Sequence, residues 1–242
     1  MIKRTLTLTI LSLSISLSLN FSAKAQEPQS QVFILFDLSN SYFETGSKDV
    51  AKSFRKIASV VLSKERGPIR PSLIHVLPIG DISQTQDAIC EAEMPASSRF
   101  RRSVECSSGL ICLPDDAIVK QWFSDCANKI TKMSVQGTTD ISGALSLASQ
   151  LTLRENSVEP FMFVLSDMFE YRNKEVPVSK IRLDDFEIVI LCGSQLNSEG
   201  TEPQYCLDTV DTKWRKQLKA LGANNVSGHN EKKSWASEIE MQ

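Results

Sequence analysis

The sequence is poor in the residues that build transition-metal sites and basic surfaces. Its 242 residues include two histidines, His75 and His229, which lie far apart, and its six cysteines form no C-x-x-C pair. This disfavours a zinc site. Lys and Arg number 27 against 29 Asp and Glu, so the chain has no general attraction to nucleic acid or to anionic lipid. After the amino-terminal segment, no apolar stretch is long enough to span a bilayer.

The amino-terminal segment has the features of an export signal. Lys3 and Arg4 precede a run from Leu6 to Leu19 in which Leu and Ile alternate with Ser and Thr, and Ala23-Lys24-Ala25 follows. The alternation would also suit a strand, but the basic start and the Ala-x-Ala end favour a secretory signal peptide over residues 1–25. Its removal takes away three positive charges, which leaves 24 Lys and Arg against 29 Asp and Glu, a net charge of −5. We therefore expect a periplasmic or secreted protein.

The cysteines are even in number, which in an exported chain predicts disulfide bonds. They are Cys90, Cys106, Cys112, Cys126, Cys192 and Cys206. Six cysteines allow fifteen pairings, and the sequence alone does not choose among them. Short loops favour Cys106–Cys112 and Cys192–Cys206, which leaves Cys90–Cys126 as an outer bridge.

Apolar runs typical of buried strands alternate with segments of helical periodicity. Strands are predicted at 31–36, 73–79, 161–165, 186–191 and 223–226, and helices at 47–65, 115–133, 140–153 and 209–221. This alternation predicts an α/β fold with a doubly wound, mostly parallel sheet flanked by helices. Residues 26–30 are a polar linker, 31–228 a single domain with an irregular, cysteine-containing insertion at 81–114, and 229–242 a polar tail.

Polar residues stand where the predicted strands end. Asp37, Ser39 and Ser41 follow the first strand, Thr139 lies in a turn before a helix, and Asp167 ends a later strand. Ligand sites in open α/β sheets lie outside the carboxyl ends of the strands, so we expect these positions to converge. Two carboxylates and three hydroxyls suit Mg²⁺, and Mn²⁺ accepts the same ligands.

Three segments together resemble the metal-ion-dependent adhesion site of von Willebrand factor A domains. They are Asp37-x-Ser39-x-Ser41, Gly137-Thr138-Thr139-Asp140-Ile141 and Leu165-Ser166-Asp167, and the resemblance extends over residues 31–226. It implies a Rossmann-like fold with Ser39, Ser41 and Thr139 as metal ligands. Asp37 and Asp167 would bind the metal through water or hold the hydroxyls. Thr138 remains an alternative, because the two threonines are adjacent; Thr139 is the ligand if Gly137-Thr138-Thr139-Asp140 corresponds to the family's Gly-Gly-Thr-Asn/Asp turn.

A site of this kind implies protein binding rather than catalysis. Neutral hydroxyls leave the cation most of its charge, so an Asp or Glu of a protein partner completes the coordination. No general base or nucleophile dyad is visible nearby, which argues against an enzyme. An alternative is a Mg²⁺-dependent phosphatase like the haloacid dehalogenases, with Asp37 as nucleophile. In that interpretation Ser39 stands where a general acid is needed and cannot act as one. A structural domain with an inactive metal site is a further alternative.

The insertion at 81–114 begins where the second predicted strand ends, on the side of the predicted metal site. We therefore expect it to stand beside the metal and to act as a specificity element, with Arg99, Arg101 and Arg102 as contacts for an acidic partner. The alternative is an antiparallel hairpin at the sheet edge, which would carry the insertion away from the metal.

Overall fold

The chain alternates strands and helices. In a computed structural model of the protein, the described residues are 30–44, 50–63, 72–94, 115–152, 159–171, 181–193 and 204–231. The strands are β1 (Ser30–Asp37), β2 (Ser72–Ile79), β3 (Cys90–Met94), β4 (Glu159–Ser166), β5 (Glu187–Cys192) and β6 (Asn225–Asn230). The helices are α1 (Val50–Val61), α2 (Asp115–Ile130), α3 (Ile141–Leu151), α4 (Gln204–Thr209) and α5 (Arg215–Ala220). Short π-helical turns cover Asn40–Glu44 and Val210–Trp214, and a 3₁₀ turn covers Ser83–Thr85.

The strands form one sheet in the order β3-β2-β1-β4-β5-β6. Neighbouring strands are parallel except for β3, which is antiparallel to β2. This confirms the predicted fold class, a mostly parallel sheet with flanking helices. Within the sheet, β2 lies next to β1 on one side, and β4, which comes later in the chain, lies next to β1 on the other side. Such a reversal opens a crevice between the carboxyl ends of the two strands that flank it, here β1 and β4.

Helices cover both faces of the sheet. Ile34 and Phe36 of β1 pack with α1 and α2, whereas Phe33 and Leu35 pack with α3 and the α4–α5 segment. All of β1 is therefore buried, as its unbroken apolar run predicts. Burial of each such side chain contributes about 1.5–3 kcal/mol, so the core holds the end of the strand, Asp37, in a defined place. None of the helices in the described residues is long and apolar enough to cross a membrane.

Two disulfide bonds join the sheet to helices. Cys90–Cys126 links β3 to α2, and Cys192–Cys206 links the end of β5 to α4. Cys192–Cys206 is a pairing that the short loop favoured, and Cys90–Cys126 is the outer bridge that the favoured pairings left. The third expected pair, Cys106–Cys112, lies outside the described residues, among which no cysteine is free.

The insertion begins with a strand that the sequence did not indicate. The segment Cys90–Met94 reads CEAEM, and Glu and Ala are poor strand formers. It forms β3 because its backbone pairs with the open edge of β2, with Cys90 opposite Val76 and Met94 opposite Ser72. The prediction of an irregular segment over 81–114 is therefore wrong in its first part.

The direction of β3 also decides where the insertion leaves the sheet. Met94 lies opposite Ser72, the first residue of β2, so β3 carries the chain away from the carboxyl edge where β2 ends. This is the hairpin alternative. The start of the insertion lies beside the predicted metal site, since Asp81 accepts hydrogen bonds from Thr138. Its described part ends at Met94, at the opposite edge, so the expectation that the insertion stays beside the metal is wrong from β3 onward. Residues 95–114, with Arg99, Arg101 and Arg102, lie outside the described residues.

The carboxyl-terminal elements differ from their predicted bounds. β6 covers Asn225–Asn230 rather than 223–226, so His229, expected in the tail, belongs to the sheet. Most residues of β6 are polar, and within this strand Val226 alone is fully buried. The sequence therefore has no apolar pattern that would indicate the full length of the strand. The final helical segment begins at Gln204 rather than at 209. In α2, Ile118 is 55% exposed.

Candidate metal centre

The loop after β1 turns directly above a buried carboxylate. Asp37 is fully buried, and its Oδ1 accepts a hydrogen bond from the Ser39 N–H at 2.8 Å. An Asp side chain that bonds the backbone two residues later turns the chain, here out of the strand. The turn brings the hydroxyls of Ser39 and Ser41 to 3.3 Å from each other. Ser39 is buried, whereas Ser41 is exposed.

The end of β4 completes this cluster from the neighbouring strand. Asp167 Oδ2 accepts a hydrogen bond from Ser41 Oγ at 2.7 Å, and its Oδ1 accepts one from the Phe169 N–H at 2.9 Å. Ser166 Oγ donates to Asp37 Oδ2 at 2.6 Å. Both oxygens of Asp37 are therefore hydrogen-bonded, and residues from two parallel strand ends meet as the sequence predicted.

Ser166 is a member of the cluster that sequence reasoning did not single out. Its hydroxyl donates to Asp37 and accepts the Met168 N–H at 2.9 Å. Met168 has a φ of 61°, in the left-handed region that non-glycine residues seldom adopt. Its carbonyl accepts the Trp214 Nε1–H at 3.1 Å, which helps to fix it. A hydroxyl at the last position of an otherwise apolar strand was the available signal.

The turn before α3 distinguishes the two adjacent threonines. The N–H and the hydroxyl of Thr138 each donate to Asp81 Oδ1 at 2.9 Å. Thr139 exchanges both backbone hydrogen bonds with Tyr171, at 2.8 and 3.1 Å, and is 4% exposed. Its hydroxyl forms no hydrogen bond with any other described residue. The Thr138 hydroxyl is thus bonded to Asp81 and not to the cluster, whereas the Thr139 hydroxyl has no partner among the described residues.

Two further residues hold this turn, and sequence reasoning missed both. The Asp81 N–H donates to Gln136 Oε1 at 2.6 Å, and the Gln136 N–H donates to Leu38 O at 2.9 Å. Gln136 also forms a parallel bridge with Ser39. The Asp140 N–H donates to Gly80 O at 3.0 Å. Asp81 follows β2 as Asp37 follows β1, so its position at a strand end was a usable signal.

The two carboxylates of the cluster repel each other. The pKa of Asp37 is raised from 3.8 to about 7. Burial is the largest cause, and the negative charge of the nearby Asp167 is the second. Hydrogen bonds from Ser166 and Ser39 favour the charged form and lower the pKa, but less strongly. A buried acid of this kind is stabilised in its charged form when a cation lies beside it.

Hydrogen bonds unite four of the five predicted site residues. They join Asp37, Ser39, Ser41 and Asp167 into one cluster. Thr139 lies in the loop that also contains Gln136, and the backbone of Gln136 forms a bridge with Ser39. No group of three or more His, Cys, Asp or Glu that could hold a metal is found in the described residues. A metal at this cluster would therefore depend on hydroxyls and water in addition to carboxylates, which suits a hard cation and not zinc.

No protein-family model matches the sequence, and a search of curated proteins gave no match. Among solved structures, the chain is similar to a von Willebrand factor type A protein from Catenulispora acidiphila, with 13% identity and a TM-score of 0.45. That match covers 87% of this chain and 41% of the other. The chain is also similar to an aerotolerance-related membrane protein from Bacteroides fragilis, with 14% identity over 87% of this chain and 96% of that one and a TM-score of 0.42. A conserved hypothetical protein, BatB, from Bacteroides thetaiotaomicron is 12% identical over 86% and 93% of the two chains, with a TM-score of 0.40. The structural neighbours of this chain thus include a von Willebrand factor A protein.

Proposed function

We propose that the chain is an exported domain of the von Willebrand factor A type that binds a divalent cation and, through it, a carboxylate of a protein partner. One observation carries this proposal. Two buried carboxylates and three serine hydroxyls form a hydrogen-bonded cluster at the crevice between β1 and β4, where ligand sites of open α/β sheets lie.

The donor set fits Mg²⁺ or Mn²⁺. Ser39, Ser41 and Thr139 would hold the cation, and Asp37 and Asp167 would bind it through water or orient the hydroxyls. The Thr139 hydroxyl, which forms no hydrogen bond with another described residue, offers lone pairs to such an ion. The repulsion between Asp37 and Asp167 would be relieved by a positive charge beside them. A bound cation supplies the positive charge that attracts an outside carboxylate.

The partner chemistry follows from the charges. The chain without residues 1–25 has a net charge of −5, so its general field does not attract an acidic protein. Attraction of an Asp or Glu would therefore depend on the cation. A charge-assisted contact of this kind is strong and directional, which suits adhesion or assembly.

The phosphatase alternative has less support. A nucleophilic Asp37 needs an oxygen free to attack, but Asp37 is fully buried and each of its oxygens accepts a hydrogen bond. Ser39 occupies the place of the general acid, and its hydroxyl pairs with Ser41. In this arrangement Asp37 holds its neighbours in place rather than facing a substrate.

Export is supported by two kinds of feature. The amino-terminal sequence has the pattern of a signal peptide, and the described residues contain two disulfide bonds. Disulfides persist mainly in oxidising compartments, so the protein would act in the periplasm or outside the cell.

The partner experiment compares three conditions on one immobilised protein. The wild type is exposed to envelope extract in Mn²⁺ and in EDTA, and Asp37→Asn is exposed in Mn²⁺. Proteins held by the wild type in Mn²⁺ alone would support the proposal. An identical set of bound proteins in all three conditions would contradict it. Turnover of p-nitrophenyl phosphate that requires Mg²⁺ would favour the phosphatase.

A further inference from the structure

Exposed apolar side chains are concentrated at the end of the molecule that carries the candidate metal centre. Those at this end lie in the loops after β2 and β4, in the loop before Thr139 and at the start of α4: Ile82, Val135, Phe169, Tyr171 and Tyr205. The start of α4 belongs to this end because Cys206 is bonded to Cys192 at the end of β5. Single exposed apolar residues are ordinary, but a group of them indicates a contact surface.

Tyr171 stands directly beside the candidate ligand Thr139. The two residues exchange both backbone hydrogen bonds in an antiparallel bridge. Residues opposed in this way project their side chains to the same face. Tyr171 is 58% exposed, whereas Thr139 is 4% exposed, so of these two neighbours the tyrosine offers the solvent-accessible side chain.

Phe169 belongs to the same segment. Its N–H donates to Asp167 Oδ1 at 2.9 Å, and its side chain is 51% exposed. Glu170, between the two aromatic residues, turns back to α3, where its Oε1 accepts the Ser142 N–H at 2.8 Å. Glu170 is thus directed toward α3, whereas Phe169 and Tyr171 on either side of it are exposed to solvent. We refer to Phe169 and Tyr171 as the aromatic pair.

The backbone beneath the aromatic pair is held on both sides. Met168 is fixed by the Ser166 hydroxyl and by Trp214, and Tyr171 is fixed by Thr139. A surface whose backbone is already ordered loses little entropy on binding. Exposed Tyr and Phe in such a setting are the residue types that dominate contact energies at protein interfaces.

We propose that the aromatic pair selects the partner, and that this partner is a protein segment in which a large apolar side chain lies within two positions of an Asp or Glu. The inference rests on the proposed function, because the cation takes the carboxylate while the aromatic pair covers the neighbouring apolar side chain. Charge complementarity is the reason for the Asp or Glu in this partner segment, because a carboxylate complements the bound cation. The described acids Asp81, Asp167 and Glu170 would repel an acidic segment unless the cation is bound.

The test is a selection of random twelve-residue peptides displayed on phage, on immobilised protein in saturating Mn²⁺. The wild type is compared with Phe169→Ser/Tyr171→Ser and with the two single variants. The control is Ile118→Ser, because Ile118 is 55% exposed on α2, away from the candidate centre. Mn²⁺ affinity is measured for every protein, and each selection is repeated in EDTA.

The wild type and Ile118→Ser should select acidic peptides in Mn²⁺ alone. Large apolar residues next to the acid should be enriched about three- to tenfold, the range expected for one aromatic contact. The double variant should keep the acid and lose the apolar neighbour. The inference fails if the wild type selects acids with no apolar neighbour, or if the double variant keeps that preference. If no acid is selected in Mn²⁺, the carboxylate capture of the proposed function fails, and the inference fails with it.

Discussion

Single residues determine the electrostatics of the crevice between β1 and β4. Asp37 is fully buried beside Asp167, and its pKa is raised to about 7. An asparagine at this position keeps the shape and both hydrogen bonds, since its amide oxygen accepts the Ser39 N–H and its amide group donates to Ser166. Asp37→Asn therefore removes the charge alone, whereas Asp37→Ala would also leave a cavity.

The metal-free protein should lose stability as the pH rises. The pKa of Asp37 is about 7 in the folded protein against 3.8 for an unperturbed side chain, so the folded state binds more protons between these values. The free energy of unfolding then falls through this window, by about 3 kcal/mol from pH 5 to pH 8.5. Urea unfolding in EDTA measures it. In Asp37→Asn the free energy of unfolding should change much less between pH 5 and pH 8.5. An equal pH dependence in both proteins would show that other groups cause it.

The adjacent threonines should differ sharply in their effect on Mn²⁺ binding. Thr139→Val should weaken affinity by at least about tenfold, as expected when a ligand is lost. Thr138→Val should weaken it by less than about threefold, because that hydroxyl is bonded to Asp81 and not to the cluster. Titration calorimetry on the two variants gives the comparison. The reverse order would make Thr138 the ligand.

At the scale of elements, the two disulfides differ in their distance from the candidate centre. Cys192–Cys206 ties the end of β5 to α4, and Cys206 Sγ lies 3.7 Å from Ser166 O. Ser166 in turn holds Asp37. Cys90–Cys126 instead joins the edge strand β3 to α2. One bridge therefore supports the cluster directly, and the other supports the edge of the sheet.

Removal of each bridge by paired serine substitutions should separate stability from metal binding. The bridges close segments with sequence separations of 14 and 36, so the loss of either should lower the free energy of unfolding by about 3–4 kcal/mol. Only Cys192→Ser/Cys206→Ser should also weaken Mn²⁺ binding. Urea unfolding and calorimetry test both effects. Equal Mn²⁺ affinity in the two variants would show that the bridge does not position Ser166.

The direction of β3 changes what is expected of the insertion. Because β3 leads the chain to the level of Ser72, away from the carboxyl edge, replacement of residues 95–104 by a Gly/Ser linker should leave Mn²⁺ binding and peptide selection unchanged. The same two assays serve as the measurement. A loss of acidic peptides in this variant would return Arg99, Arg101 and Arg102 to the binding surface.

At the scale of the whole molecule, the sequence was most informative about the parallel sheet. Strands that are buried on both faces have continuous apolar sequences, such as Val32 to Phe36. Once parallel strands are inferred, their carboxyl ends must share one edge, so Asp37 and Asp167 were expected to meet. They do so through two serines: the Ser39 N–H donates to Asp37, the hydroxyls of Ser39 and Ser41 pair, and Ser41 donates to Asp167.

Features that depend on tertiary contacts were not predictable in the same way. β3 forms by pairing with the edge of β2 and has no apolar pattern of its own. Tyr171 pairs with the turn at Thr139, and no sequence spacing connects it to that turn. Burial of Asp37 also depends on neighbours, since its hydrogen bonds come from a turn and from another strand.

A calorimetric titration of the metal-free protein with Mn²⁺ tests directly whether the cluster at Asp37 is a metal site. We expect one ion bound per chain, with an affinity that falls at least about tenfold in Asp37→Asn. Asp211→Asn serves as the control, because Asp211 is an exposed acid paired with Arg215, and it should bind as the wild type does. An absence of saturable binding in the wild type, or an undiminished affinity in Asp37→Asn, would show that the cluster does not bind the ion.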